Sequence, residues 1–357
     1  MKPQSGGPVP CTALTTTPAD NTILEHETQG SVRMKKRIAA IVLAGMLASV
    51  SAGVAQDYPT RPITMIVPFA AGGPTDVVAR IMAEGMRASL GQNVLVENTT
   101  GAAGSIGVGK AVRSSPDGYT LSIGHWSTHV INGAIYNLPY DLLTDLEPVS
   151  LLASNPQLIV ANSNVPATDL KSLIAWIKAN PDKVSAGTAG PGSASHVGGI
   201  YFQKFSDTQF LFVPYRGTGP AMADLIGGQI QIMLDQSSNS LPQVRNKQIK
   251  AFAVTANKRL AVAPDIPTVD ELGMPGFYIS VWHGLWVPKG TPKPIIAKLI
   301  AAVQAALADP NVRKRLEDLG QEIPPVSQQT PEALHAFQKA EIEKWWPIVK
   351  AANIKLD

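Results

Sequence analysis

The sequence predicts an α/β protein of two lobes with mainly parallel sheets. Three observations predict it. Short apolar runs alternate with stretches of helical periodicity. The alternation breaks at a Pro-rich segment and then resumes. A late strand followed by helices reads as a return to the first set.

In the first set, residues 63–67 form an apolar run and a strand. Residues 75–90 place Val77, Val78, Ile81, Met82, Met86 and Leu90 at helical spacing. Strand 93–97, helix 105–113 and strand 119–123 follow. The stretch 138–148, with Pro139 and Pro148, interrupts the rhythm. The second set has strands at 158–161, 184–186, 210–213, 230–234 and 250–255. Helices lie between them at 170–178, 194–204, 220–226 and 241–245. Residues 262–276 are rich in Pro and Gly and read as loop. Strand 278–287 and helices 292–308, 311–319 and 331–352 close the chain, and Pro292 and Pro294 suit a first helical turn. The expected organisation is lobe 1 over 56–155, lobe 2 over 156–278, and a return to lobe 1 over 279–357. A hinge and a ligand cleft lie between the lobes.

The front of the chain points to export. Lys35-Lys36-Arg37 precede an apolar stretch to Val50 and the small residues Ser51 to Ala55, the layout of a signal peptide over 34–55. Its apolar run is short for a membrane span. Residues 1–33 read as an upstream extension, with translation starting at Met34, and the mature protein is expected in the periplasm. The single cysteine, Cys11, lies in that extension. No thiolate nucleophile, disulfide, lipid-anchoring cysteine or Cys metal ligand is therefore expected after cleavage. Residues 1–55 hold five of the 30 Lys/Arg and three of the 27 Asp/Glu, so the net charge falls from +3 to +1 without them. That balance argues against a nucleic-acid partner. A hydrophobic content of 45% suits a well-packed core.

Five loops at strand C-terminal ends carry ligand-binding chemistry. Phe69-Ala70-Ala71-Gly72-Gly73-Pro74-Thr75-Asp76 joins a strand to a helix, and its paired glycines let backbone N–H groups and the positive helix end approach an anion. It reads equally as an ordinary turn with Thr75 or Asp76 as N-cap. Gly187 to His196 repeats the arrangement and adds the hydroxyls of Thr188, Ser193 and Ser195. Gly124 to His129, Tyr215 to Pro220 and Leu234 to Ser238 are the others. In open α/β sheets ligands bind at such ends.

Catalytic patterns fit poorly. Gly104 to Ala111 approaches a phosphate-binding P-loop but has Ala111 where the Mg²⁺-binding hydroxyl belongs. Ser193, His196 and Asp235 suggest a hydrolase, yet no Gly-x-Ser-x-Gly elbow surrounds Ser193. His125 and His129 are four apart without the Glu of a zinc helix, so no metal or cofactor is expected. Trp126 suits either a ligand ring or the core.

Several of these stretches together resemble the Bug receptors, the substrate-binding proteins of the tripartite tricarboxylate transporter system. The resemblance is carried by Pro68-Phe69-Ala70-Ala71-Gly72-Gly73 with Asp76, Ser115-Pro116-Asp117-Gly118-Tyr119, Gly190-Pro191-Gly192-Ser193 with His196, Val213-Pro214-Tyr215-Arg216-Gly217, Asp224 to Gln229, and Trp282-His283-Gly284. It implies a type II-like periplasmic-binding-protein fold and a non-enzymatic receptor, expected as a monomer. The implied ligand is a small carboxylate: a dicarboxylic, tricarboxylic, amino or aromatic acid. The implied partner is a two-subunit membrane permease; a periplasmic sensor without transport is the alternative. The ligand-contacting residues expected in the first loop are Phe69, Ala71, Gly72, Gly73, Thr75 and Asp76. Trp126, Ser127, Thr128 and His129 are expected from the second, with Trp126 favouring a flat acid. Thr188, Ala189, Gly190, Gly192 and Ser193 come from the third, and Tyr215, Asp235 and Gln236 complete the set. Arg216 departs from the lysine frequent at its position in the family.

Overall fold

The computed structural model describes residues 58–351. The signal segment 34–55 and the stretch 1–33 lie outside them. From Pro59 the chain forms one compact unit. Among the described residues, nine strands share one sheet.

The first set comprises β1 (Ile63–Val67), α1 (Pro74–Leu90), β2 (Val94–Asn98), α2 (Ser105–Val112) and β3 (Thr120–His125). β1 pairs with β2 and β3 in parallel, as strand–helix alternation requires. α1 buries Val78, Ile81, Met82 and Met86, and stops at Gly91, whose left-handed φ of 66° lets its N–H reach the Arg87 carbonyl. After β3 the chain turns through Ser127–Ile131 into the short helix α3 (Asn132–Ile135). That helical segment goes unannounced in the sequence, where apolar periodicity is too brief to register.

β4 (Leu146–Asn162) is 17 residues long and begins inside the Pro-rich stretch 138–148 that interrupts the strand–helix rhythm of the sequence. Pro148 is tolerated there at an irregularity in the register with β9 (Ser280–Pro288). Residues Leu146 to Pro156 pair antiparallel with β9, and Gln157 onward pairs antiparallel with β7 (Ile232–Gln236) and β8 (Ile249–Val254). The second set otherwise follows expectation: α4 (Leu170–Ala179), β5 (Ser185–Thr188), α5 (Ala194–Ser206), β6 (Leu211–Pro214), α6 (Thr218–Ile226) and α7 (Ser237–Arg245). β5 is parallel to β6 and β7. The sheet is thus parallel in its βα units and antiparallel where β4 and β9 pass through its middle. α8 (Lys293–Ala308), α9 (Pro310–Asp318) and α10 (Pro331–Ala351) pack back onto the first set.

Gly124 illustrates how closely β3 packs on the turn that follows it. A Cβ there would lie 2.0 Å from His129 Cε1 and 2.1 Å from its Nδ1. His129 is fully buried and its ring stacks on Trp286 at 3.7 Å, so it has nowhere to move. Gly124→Ala is expected to cost about 1–3 kcal/mol through overpacking, read as a fall in urea midpoint at unchanged slope.

Candidate functional site

The C-terminal ends of β1, β3, β5 and β7 surround a narrow cavity. Phe69, Pro74 and Thr75 come from the β1–α1 loop and His125 from β3. Ala189, Ser193, Ala194 and Ser195 come from the β5–α5 loop. Gln157, Thr218, Leu234, Asp235 and Gln236 complete the wall. Among the described residues no Lys or Arg lines it. An anion here would have to be met by hydroxyls, amides and helix ends.

The helix starts differ in what they offer. α1 follows Gly73 and α6 follows Gly217, and neither has a side-chain cap. Their first N–H groups are therefore unanswered by a capping side chain. α5 is capped: Ser193 Oγ accepts from the His196 N–H at 3.4 Å. Ser195 Oγ accepts from the Ala189 N–H at 3.0 Å, so the second glycine loop is held by its own hydroxyls. Gly72 takes a φ of 80°, and its N–H donates to Asp76 Oδ2 at 3.0 Å.

Of the expected residues, the cavity brings together Phe69, Thr75, Ala189, Ser193, Asp235 and Gln236. Ala71 and Gly72 lie on the exposed part of their loop. Gly73, Thr188, Gly190 and Gly192 are buried loop backbone beside the cavity. Asp76 does not face it. Burial would raise its pKa, but Arg80, the Gly72 N–H and Asn98 outweigh that and hold it lowered. Tyr215 donates its hydroxyl to Asp224 Oδ2 at 2.7 Å instead. The expectation that Trp126 stacks on a ligand is corrected: its ring is 1% exposed and packs edge-on against Trp345 at 4.8 Å. Ser127, Thr128 and His129 are fully buried with it, bonded to one another and to His125. This segment is a plug in the core, and its hydroxyls are satisfied locally, while Trp126 Nε1 and His129 Nε2 are buried without a partner.

His125, Gln157, Thr218 and Ser195 are lining residues outside the expected set. Gln157 had a signal, being polar within a run that is otherwise apolar to Ala161. The catalytic patterns do not assemble. Ser193 Oγ contacts Ser195 Oγ at 3.1 Å, His196 Nδ1 accepts from the Gly192 N–H at 3.1 Å, and Asp235 Oδ2 bonds Asn239 and Ser240. Gly107 of the P-loop-like stretch packs on backbone, where a Cβ would meet Thr99 O at 2.6 Å. Among the described residues no group of three His, Cys, Asp or Glu is placed to hold a metal.

Two opposing titrations mark the site. Burial raises Asp235 from 3.8 to about 6, against the lowering pull of Ser240, Asn239, Thr218 and the Gln236 amide. A raised carboxyl stabilises the fold below 3.8, and that contribution is lost as pH rises through about 6. Burial lowers His129 and His283 from 6.5 to about 3 and His125 well below 6.5. These imidazoles stabilise the fold above 6.5 and that contribution is lost as pH falls toward about 3. Between pH 6 and 4 the unfolded chain gains protons on three histidines while the fold gains one on Asp235, so acid destabilises. The urea midpoint is expected to fall from pH 7 to pH 5, and Asp235→Asn to steepen the fall, which urea melts across that range will measure.

The geometry can be set against known proteins. The tripartite tricarboxylate transporter family receptor (TctC) matches residues 78–354. The UPF0065 protein in the TAR-I ttuE-ttuC' intergenic region of Agrobacterium vitis is 41% identical over 323 residues, 90% of this chain and 93% of that one. The periplasmic binding protein BugD is similar in structure, with TM-score 0.81 and 43% identity over 84% of this chain and 99% of that one. MatC from Rhodopseudomonas palustris, solved with bound malate, gives TM-score 0.79 and 39% identity over 82% and 100%. These likenesses bear out the α/β binding-protein fold, the Bug-type resemblance and the non-enzymatic reading. The chain belongs to the tripartite tricarboxylate transporter family of solute-binding receptors.

Proposed function

We propose that this chain is an exported periplasmic receptor that captures a small carboxylate in the cavity and delivers it to a two-subunit membrane permease. The observation that carries the reading is the convergence of two uncapped helix starts, α1 and α6, with the hydroxyls of Thr75, Ser193, Ser195 and Thr218 in a cavity that no Lys or Arg lines among the described residues. Such a set solvates a carboxylate by dipoles. The malate in the MatC structure supports an acid of that kind. Thr75, Ser193 and the α1 and α6 amides are the proposed carboxylate contacts. Export through the 34–55 signal places the receptor where such a permease collects cargo.

Lobes 56–155 and 156–278, with 279–357 returning to the first, are proposed to close about the hinge where β4 and β9 cross. Contacts across the cleft support this. Ala70 N–H donates to Arg216 O at 3.0 Å, and Tyr136 donates to Pro191 O at 2.6 Å. A ligand touching both sides favours the closed form by its difference in affinity for the two.

A thermal-shift series with aliphatic, amino and aromatic acids tests the capture reading. At least one acid is expected to raise the melting temperature with concentration and to be recovered unconsumed. A second test addresses closure. A Cβ on Gly219 would meet Ala71 O at 2.8 Å and Gly73 N at 2.9 Å. Gly219→Ala is expected to weaken ligand binding about tenfold, roughly 1.4 kcal/mol, by propping the loops apart. Calorimetry gives the affinity, and an unlowered melting temperature without ligand separates this from unfolding, since Ala suits a helix.

A further inference from the structure

Thr75 is held from behind by a group outside the cavity. Its hydroxyl oxygen lies 3.3 Å from His283 Nε2, the one hydrogen-bond partner that either atom has among the described residues. Thr75 lines the cavity, whereas His283 does not. Both are buried, Thr75 at 1% exposed and His283 at 0%. β9 carries His283 in register with His125 of β3 on one side and with Ala153 of β4 on the other, so its backbone is fixed from both directions. The His125 ring meets it edge-on at 5.4 Å and is itself stacked on Phe69 at 5.0 Å. The other ring nitrogen of His283, Nδ1, is buried with no hydrogen-bond partner.

That unanswered nitrogen decides where the imidazole proton sits. Burial holds His283 neutral by lowering its pKa from 6.5 to about 3, so the ring carries one N–H and one bare nitrogen. A proton on Nδ1 would bury a donor with nothing to receive it, while Nε2 took the Thr75 hydroxyl proton. A proton on Nε2 leaves only a lone pair at Nδ1 and makes His283 the donor to Thr75 Oγ1. Orphaned buried N–H groups are the rarer of the two faults, so the second arrangement is the favoured one. It leaves the Thr75 O–H as a donor with no acceptor among the described residues, on a residue that lines the cavity. The first arrangement would instead turn lone pairs toward an entering carboxylate. A hydroxyl whose oxygen already accepts a bond also donates more strongly.

We infer that His283 is a positioning residue for anion capture: by donating from Nε2 to Thr75 Oγ1, it turns the Thr75 hydroxyl proton toward the cavity, where a ligand carboxylate accepts it. The inference rests on the carboxylate-receptor reading above, and two independent measurements test it. Long-range nitrogen–proton spectra of the unaltered protein without ligand are expected to show His283 protonated at Nε2. Protonation at Nδ1 overturns the inference whatever the protein binds, and leaves the receptor reading standing. Calorimetry with malate, and then with the other acids of the thermal-shift series, is the second measurement. Thr75→Val keeps the shape and removes the hydroxyl, and should weaken binding about tenfold to a hundredfold. His283→Phe should weaken it about threefold to tenfold, and should change nothing further once Thr75→Val is present. His283→Gln, which can place an N–H near the position of Nε2, should recover most of the loss. A His283 that merely fills the core would weaken binding by the same factor with and without the Thr75 hydroxyl, and that result overturns the inference. Failure of every acid to bind the unaltered protein overturns the receptor reading and the inference with it. The spectra decide even where a variant does not fold.

Discussion

The structure depends on β4 changing partners between Pro156 and Gln157. Up to Pro156 the strand is paired with β9, and from Gln157 it is paired with β7. At that step the ladder would leave polar groups stranded inside the sheet. Thr255 prevents this. Its hydroxyl accepts from the Gln157 N–H at 3.0 Å and is placed 2.9 Å from the Ile279 carbonyl, while its own N–H donates to Gln157 O at 2.9 Å. One side chain thus ties the outgoing passage at Gln157 to the returning passage at Ile279. The Gln157 amide then donates to Ala194 O at 2.8 Å, which anchors the first turn of α5 to the same point. The cavity lies where it does because this knot fixes both the sheet and a helix start beside it.

Recognition built on dipoles has consequences that a lysine or arginine would not have. A guanidinium fixes a carboxylate bidentately and carries a full charge into the site. Helix starts supply partial charge and several N–H groups over a broader area. A cavity of this kind holds an anion without dictating its length or substituents. In such a cavity discrimination would fall to directional groups on the walls. The capped start of α5 adds rigidity, since Ser193 and Ser195 spend their bonding capacity on their own loop.

Much of the fold was legible because its signals are local. β1, α1 and the closing helices lie within a residue or two of their expected bounds, since apolar periodicity and Gly or Pro stops set them. The first half of β4 was not legible, because a strand carrying Pro148 owes its existence to β9, some 130 residues later. The site was partly legible. Phe69, Thr75 and Ser193 followed from glycine-rich turns after strands. Trp126 to His129 sit after a strand too, but the turn folds inward, and local sequence holds no record of which way a loop faces. Gln157 and Thr218 reach the cavity through pairings made far along the chain.

The inward plug also explains the histidines. His125 lies parallel to the Phe69 ring at 5.0 Å and edge-on to His283 at 5.4 Å, and His283 Nε2 lies 3.3 Å from Thr75 Oγ1. These contacts carry the α1 start onto β3 and β9, the antiparallel pair at the centre of the first set. Burial keeps the imidazoles neutral, so each ring can offer one donor and one acceptor. The back wall of the cavity is therefore polarisable and hydrogen-bonding yet uncharged. An anion entering it meets no cation at neutral pH, only oriented dipoles in front and a neutral aromatic wall behind. Placing a charged histidine there would strengthen anion binding but would cost the core that positions α1, and the structure resolves that conflict in favour of the core.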